Sequence, residues 1–367
     1  MRINRVSISL LRIPLRKPFV SCLRRVQYIE DVVIEIETDC GLRGYGAGTP
    51  SLRMNGESVD SIISAVRNVF APTLMGKDVS KFEAILTSQD HSIAGNTAAK
   101  ASIDIALHDL MAQAAGLPLY RFLGGDSQQI TTGISISHNT LDEMVSDAAA
   151  AVSNGFTTLK LKLGSEQGIE DDLRRVREIR RSVGGHIEIG VDANQAWSEN
   201  DALRFAEHVE ATAMNLSFIE QPVLFTERSC LGRVTAASRV PVLADESCSS
   251  LLDAADLVKH GIVDGLAIKL MKLGGIRSAR SAYDLARLHS RICAATCLME
   301  SPIAIAAMAS FCSGRNFRFI DLDAMALITR NPVIGGATMS INTLLLSDKP
   351  GLGIQRIEGL EPVLSIS

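Results

Sequence analysis

Cys-x-x-Cys pairs are absent, Trp occurs once, and aromatic residues make up only 4% of the chain. The first absence removes zinc knuckles and thioredoxin-like redox pairs from consideration. The scarcity of aromatics argues against a stacking platform for single-stranded nucleic acid. No charge sign dominates: 37 Lys and Arg face 41 Asp and Glu, a formal net charge of −4. That argues against a broad basic surface for nucleic acid or anionic membrane. Long apolar runs are also missing. The longest weakly polar run, Pro302 to Cys312, is too short to span about 30 Å of hydrocarbon. Arg2, Arg5, Arg12, Arg16 and Lys17 interrupt the N-terminal apolar residues and leave no signal-peptide core. The seven cysteines are odd in number and scattered, and they read as buried free thiols in a reducing compartment. The expectation is a cytoplasmic protein with neither nucleic-acid nor membrane partners.

What is present is enough chain, 367 residues, for about two domains. The first third reads as α+β. Val6 to Ile13 and Asp31 to Thr38 are expected strands, the second alternating Val32, Ile34 and Ile36 with Glu35 and Glu37. Asp39-Cys40-Gly41 is a turn signal, and Leu42 to Tyr45 is the expected return strand. Gly44-Tyr-Gly46-Ala47-Gly48 lacks the spacing of a phosphate loop and reads as strand. Helices are expected over Ser58 to Val69 and over Asn96 to Ala115, the latter with an Asn/Thr cap.

From about residue 128 short apolar strands alternate with amphipathic helical stretches. The strands centre on 133–136, 158–162, 187–192, 218–220, 241–245, 266–269, 292–295 and 317–321. Eight βα units over about 200 residues are the arithmetic of a (β/α)7-8 TIM-type barrel. Charged residues recur in phase at the strand ends: Lys162, Asp192, Glu220, Asp245 and Lys269, at intervals of 30, 28, 25 and 24. In a barrel that end is the active-site face. Asp192, Glu220 and Asp245 end three successive strands, and three converging anions require a cation or raised pKa values. An all-oxygen set suits a hard ion, one Mg2+ per site, and the lack of Cys or His at these strand ends disfavours zinc. Lys160 and Lys162 share one face of the second strand, and Lys269 ends the sixth, so a general acid–base pair can work from two sides. Lys160, as a second cation, would favour a neutral Lys162. Lys272, three residues past Lys269, is out of phase with the strand and is expected to serve the loop. The seven His are read as surface or helix residues and Trp197 as packing.

These strings resemble the enolase superfamily, muconate-lactonizing subgroup: Lys160-Leu-Lys162, Asp192-Ala-Asn194, Glu220-Gln-Pro222, Asp245-Glu-Ser247 and Lys269-Leu-Met-Lys-Leu-Gly-Gly275. Ala106-Leu-His-Asp109, Gly116-Leu-Pro-Leu-Tyr120 and Leu123-Gly-Gly125 are similar to that family's capping domain. The resemblance implies an α+β capping domain over residues 1–125, a barrel over 126–325, and a C-terminal segment, 326–367, returning to the cap. Where the family often reads Gly-x-Gly-Glu, this chain has Ala47 in place of the acid.

Within the subgroup the likeness is to dipeptide epimerases. Asp321-Leu-Asp323, after the eighth strand, is a seat for the α-ammonium of a dipeptide. Lys17 to Arg24 is similar to the specificity loop of the Ala-Glu epimerases, which implies that Arg24 meets a glutamate side chain as a guanidinium fork. The resemblance also assigns Ser135, Lys160, Cys297 and Met299 to substrate binding, Leu298 to the same loop, and Asn194 and Glu246 to support behind the metal ligands. It thus implies a Mg2+-dependent epimerisation of a dipeptide such as L-Ala-D/L-Glu, by two-lysine 1,1-proton transfer through an enediolate, in a homo-oligomer. The alternatives are an N-acyl amino acid racemase, an o-succinylbenzoate synthase, a muconate cycloisomerase or a catalytically silent barrel. Asp321-Leu-Asp323 argues against an acylated substrate, whose nitrogen carries no charge.

Overall fold

The alternation read from Val32 to Thr38 appears in the computed structural model, which describes residues 1–212 and 214–367. Val32, Ile34, Ile36 and Thr38 are buried, while Glu35 and Glu37 turn outward. Both N-terminal strands run longer than the pattern suggests, Ile3–Val20 and Arg25–Thr38. Their antiparallel pairing carries the extra length, with Leu10 opposite Val32 and Ile13 opposite Ile29. The return strand is Arg43–Gly48. The fourth strand of this sheet, Leu360–Ile366, comes from the far end of the chain and lies antiparallel to the first.

Helix Thr97–Ala114 lies across Arg43–Gly48 at backbone distance. A Cβ built on Gly46 would sit 1.8 Å from the carbonyl oxygen of Ser102, and one on Gly44 2.3 Å from that of Ala106. Only glycine fits at either position. Ala47, where an acid was expected, is fully buried. Asn96 precedes the helix as anticipated, but its side chain does not cap it. The Glu57 carboxylate takes that part across the fold, accepting from the N–H groups of Ala98 (2.7 Å) and Ala99 (3.1 Å).

The eight expected strands form one parallel sheet in sequence order, from Ile134–Ile136 to Phe319–Asp321. Gly133 N donates to Ile320 O at 2.8 Å, which ties the eighth strand back to the first and curls the sheet into a barrel. Between strands, helices pack apolar faces inward: Leu173, Val176, Ile179 and Val183 of helix Ile169–Val183 are buried. Acids in that helix's first turn and Arg180 and Arg181 in its last suit the helix dipole. Helix Pro302–Cys312 is buried on every side, which explains its continuous apolar run. Among the described residues no helix is long and apolar enough to cross a membrane. The cysteines depart from expectation. All seven are free, but only Cys248, Cys293 and Cys312 are buried, and Cys22 and Cys40 are exposed. Trp197 packs on Phe205 and donates from Nε1 to Asp172 at 2.8 Å.

Candidate active site

The parallel register sets the polar residues side by side. Lys162 lies opposite Asp192 on the second and third strands, and Asp192 opposite Glu220 on the third and fourth. Asp245 follows the fifth strand, Val242–Ala244. One carboxylate oxygen from each of Asp192, Glu220 and Asp245 lies within 4.8 Å of the others, and all three residues are fully buried. Burial pushes the Glu220 carboxyl up to about 7, with Asp192 and Asp245 adding to the rise. Glu220 Oε1 is buried without a hydrogen-bond partner. An orphaned carboxylate oxygen beside two further acids, with no sulfur or imidazole in the set, fits a hard divalent cation such as Mg2+.

Gln221 braces this cluster. Its Oε1 accepts from the N–H groups of Asp245 (2.9 Å) and Ser247 (3.0 Å), and its Nε2 donates to Ser247 Oγ (2.8 Å). Gln221 holds a φ of 36° and Asn194 one of 43°, left-handed conformations that a surrounding network must enforce. Asn194 N donates to Asp192 Oδ1 (2.8 Å) and Asn194 Nδ2 to Glu246 Oε1 (3.2 Å), which links Asn194 and Glu246 to the acid cluster. Burial, with Asp245 and Asp192 nearby, pushes the Glu246 carboxyl up to about 8.

Lysines surround the triad. Lys162 Nζ lies 2.5 Å from Asp192 Oδ2 and Lys269 Nζ 2.5 Å from Asp245 Oδ2, on two sides of the cluster. Lys160 Nζ pairs with Asp321 and lies 3.3 Å from Glu220 Oε2. Burial opposes its charge, yet Asp321, Glu220 and Asp192 outweigh burial and hold its pKa well above the ordinary lysine value. Lys160 is therefore a fixed cation. Lys272 overturns the expectation of a loop role. It is fully buried, 2.6 Å from Asp245 Oδ1, and it donates to the carbonyl of Ala267 at 3.1 Å. Burial alone would raise the Asp245 carboxyl, but Lys269 and Lys272 reverse that and hold it far below the usual range.

Above this floor Lys160, Lys162 and Lys269 share a cavity with Asp321, Asp323, Ser135, Cys297, Met299, Asn194 and Arg24. Asp323 Oδ2 accepts from Ser135 N (2.7 Å), Ser135 Oγ is 3.4 Å from Asp321 Oδ1, and Cys297 Sγ is 3.5 Å from Asp321 O. Burial and the neighbouring Asp321 push Asp323 up to about 7, whereas Lys160 overcomes burial and keeps Asp321 low. Arg24 reaches in from the loop between the first two strands and donates from Nη1 to Ser51 Oγ (3.2 Å). Arg25 lines a neighbouring groove instead. Phe19, Arg53 and Met54 also line the cavity, and Phe19 lies under Lys162 Nζ at 5.9 Å. Phe19 lies within the Lys17 to Arg24 string, whereas no local sequence signal marks Arg53 and Met54. Glu300 is a further buried acid of this region, raised to about 8 by burial.

The sequence and the fold are similar to those of known proteins. Residues 5–124 match the N-terminal domain of mandelate racemase / muconate lactonizing enzyme, and residues 143–358 match the enolase C-terminal domain-like family. An L-Ala-D/L-Glu epimerase from Clostridium acetobutylicum is 38% identical over 97% of this chain and 99% of its own. The substrate-liganded structure of the L-Ala-D/L-Glu epimerase from Bacillus subtilis superposes with a TM-score of 0.94, at 37% identity, over 99% of this chain and all of that one. A dipeptide epimerase from Enterococcus faecalis, solved with Mg and the dipeptide L-Leu-L-Tyr, gives a TM-score of 0.93 at 36% identity over 97% of this chain and all of that one.

Proposed function

This chain belongs to the mandelate racemase / muconate lactonizing enzyme family of the enolase superfamily, and we propose that it is a Mg2+-dependent dipeptide epimerase acting on L-Ala-D/L-Glu. One observation carries the reading: Lys162 and Lys269 share a single cavity with the acidic pair Asp321 and Asp323. Mg2+ held by Asp192, Glu220 and Asp245 would supply charge stabilisation to the substrate's terminal carboxylate as its neighbouring carbon loses a proton. One of Lys162 and Lys269, entering as the neutral amine, takes the α-proton of the C-terminal residue. The other, entering as the ammonium, returns a proton to the opposite face. The α-carbon is inverted and the two lysines exchange protonation states, so no co-reactant is needed.

Asp321 and Asp323 would hold the dipeptide's α-ammonium, with Ser135 orienting both acids. Lys160 stays charged and fixes Asp321. Cys297 and Met299 would shape the pocket for the N-terminal residue. Arg24 would take the glutamate carboxylate as a fork. The free cysteines accord with a cytoplasmic location. The test compares L-Ala-L-Glu with N-acetyl-L-Ala-L-Glu and N-succinyl amino acids in Mg2+, resolving diastereomers by chiral chromatography. Epimerisation of the free dipeptide alone is expected. Preferential turnover of the acylated compounds would overturn the reading in favour of a racemase of N-acyl substrates.

A further inference from the structure

The cavity that holds Asp321 and Asp323 is lined by a second guanidinium besides that of Arg24. Residues 51–57 form a tight turn that overhangs the site. The N–H groups of Met54, Asn55 and Gly56 all donate to Ser51 O at 3.0–3.1 Å. Asn55 Oδ1 accepts from Ser51 N (3.1 Å) and Glu57 N (3.2 Å), and Asn55 Nδ2 donates to Thr49 O (3.1 Å). Glu57 then anchors the turn to the N-terminus of helix Thr97–Ala114. A surface turn with this many internal bonds is built to hold its tip in place. That tip presents Arg53, which lines the same cavity as Arg24, Lys162 and Lys269. Arg53 is exposed and makes no ion pair among the described residues. Arg24 donates to Ser51, the first residue of the same turn. The two guanidiniums therefore sit on one mechanical unit.

Resting on the dipeptide reading above, we infer that Arg24 and Arg53 together form the side-chain subsite for the C-terminal residue, and that it selects an ionised carboxylate. A carboxylate has two oxygens and about four lone-pair sites, enough for two forks at once. A neutral amide of the same shape offers one acceptor oxygen and turns its NH2 toward a cation. The subsite thus discriminates by charge, and it does so with a residue that the strand pattern leaves unmarked. The exposed position of Arg53 makes its share sensitive to salt, whereas that of the more buried Arg24 is less so.

The experiment measures kcat/KM of the Mg2+-loaded enzyme for L-Ala-L-Glu and L-Ala-L-Gln, in wild type, Arg53→Gln and Arg53→Lys. The Glu/Gln ratio should fall about tenfold in Arg53→Gln, the lower range for a hydrogen bond to a charged group. The loss should appear in KM, with Arg53→Lys between the two. Raising NaCl from 50 to 500 mM should reduce the wild-type ratio and leave that of Arg53→Gln less affected. A ratio that falls less than fivefold in Arg53→Gln, or parallel losses on both substrates, would overturn the inference while leaving the epimerase reading intact. A wild type that epimerises neutral dipeptides but not L-Ala-L-Glu would instead sink the glutamate assignment itself, and the inference with it.

Discussion

Two carboxylates two residues apart, Asp321 and Asp323, differ because of what faces them. Lys160 keeps Asp321 ionised, while Asp323 sits near 7. Raising the pH through 7 therefore adds a second negative charge at the proposed seat of the dipeptide's ammonium. The KM for a free dipeptide should fall by about two- to fivefold between pH 6 and pH 8, and Asp323→Asn should flatten that change. Steady-state kinetics on both proteins check it. A second residue-scale expectation concerns Lys272. Its removal leaves Asp245 without one of two buried partners, so Lys272→Met should cost about 3–5 kcal/mol in urea unfolding. That role was hidden in the sequence for a physical reason. Lys269 ends a strand, and the chain then makes one short helical turn, Leu270–Leu273. Three residues is out of phase with a strand but nearly one full turn of helix, which swings Lys272 back beneath Asp245. The strand-end acids and Lys162 and Lys269 were legible because each occupies the same place in its own βα unit.

At the scale of elements, the glycines of Arg43–Gly48 record a contact rather than flexibility. Adding one methyl at Gly46 drives it into the Ser102 carbonyl, which belongs to helix backbone and cannot swing aside. Gly46→Ala should cost at least about 2 kcal/mol, as overpacking against backbone does, and denaturant titration reads this directly. The barrel's alternation of strand and helix was visible because it repeats eight times with local periodicity. The helix cap was not. Asn96 has the right chemistry at the right place, but its φ of 50° leaves its side chain out of the cap, and Glu57 arrives from a turn some forty residues earlier. Arg53 and Met54 were missed for the same reason, since a turn's tip is aimed by contacts distant in sequence.

In the molecule as a whole, the N-terminal sheet and the barrel share one continuous apolar core around a floor of buried acids and lysines. The chain's last strand, Leu360–Ile366, closes the N-terminal sheet, a long-range pairing with no local trace in the sequence beyond the family likeness. The triad's mutual repulsion is a penalty that a bound cation relieves, so Mg2+ should raise the unfolding temperature in proportion to ln(1 + [Mg2+]/Kd). Chelation with EDTA should abolish epimerisation, and added Mg2+ should restore it. Calorimetric scans with and without metal, alongside the assay, check both. In the proposed mechanism Lys162 and Lys269 work on opposite faces of one α-carbon. The direct measurement is α-deuterium incorporation into L-Ala-L-Glu in D2O with Mg2+, followed by NMR, in wild type, Lys162→Ala and Lys269→Ala. Wild type should exchange and epimerise, and each variant should lose epimerisation by at least about 10³-fold. Full epimerisation by either variant, or a wild type that leaves the α-proton in place, would contradict it.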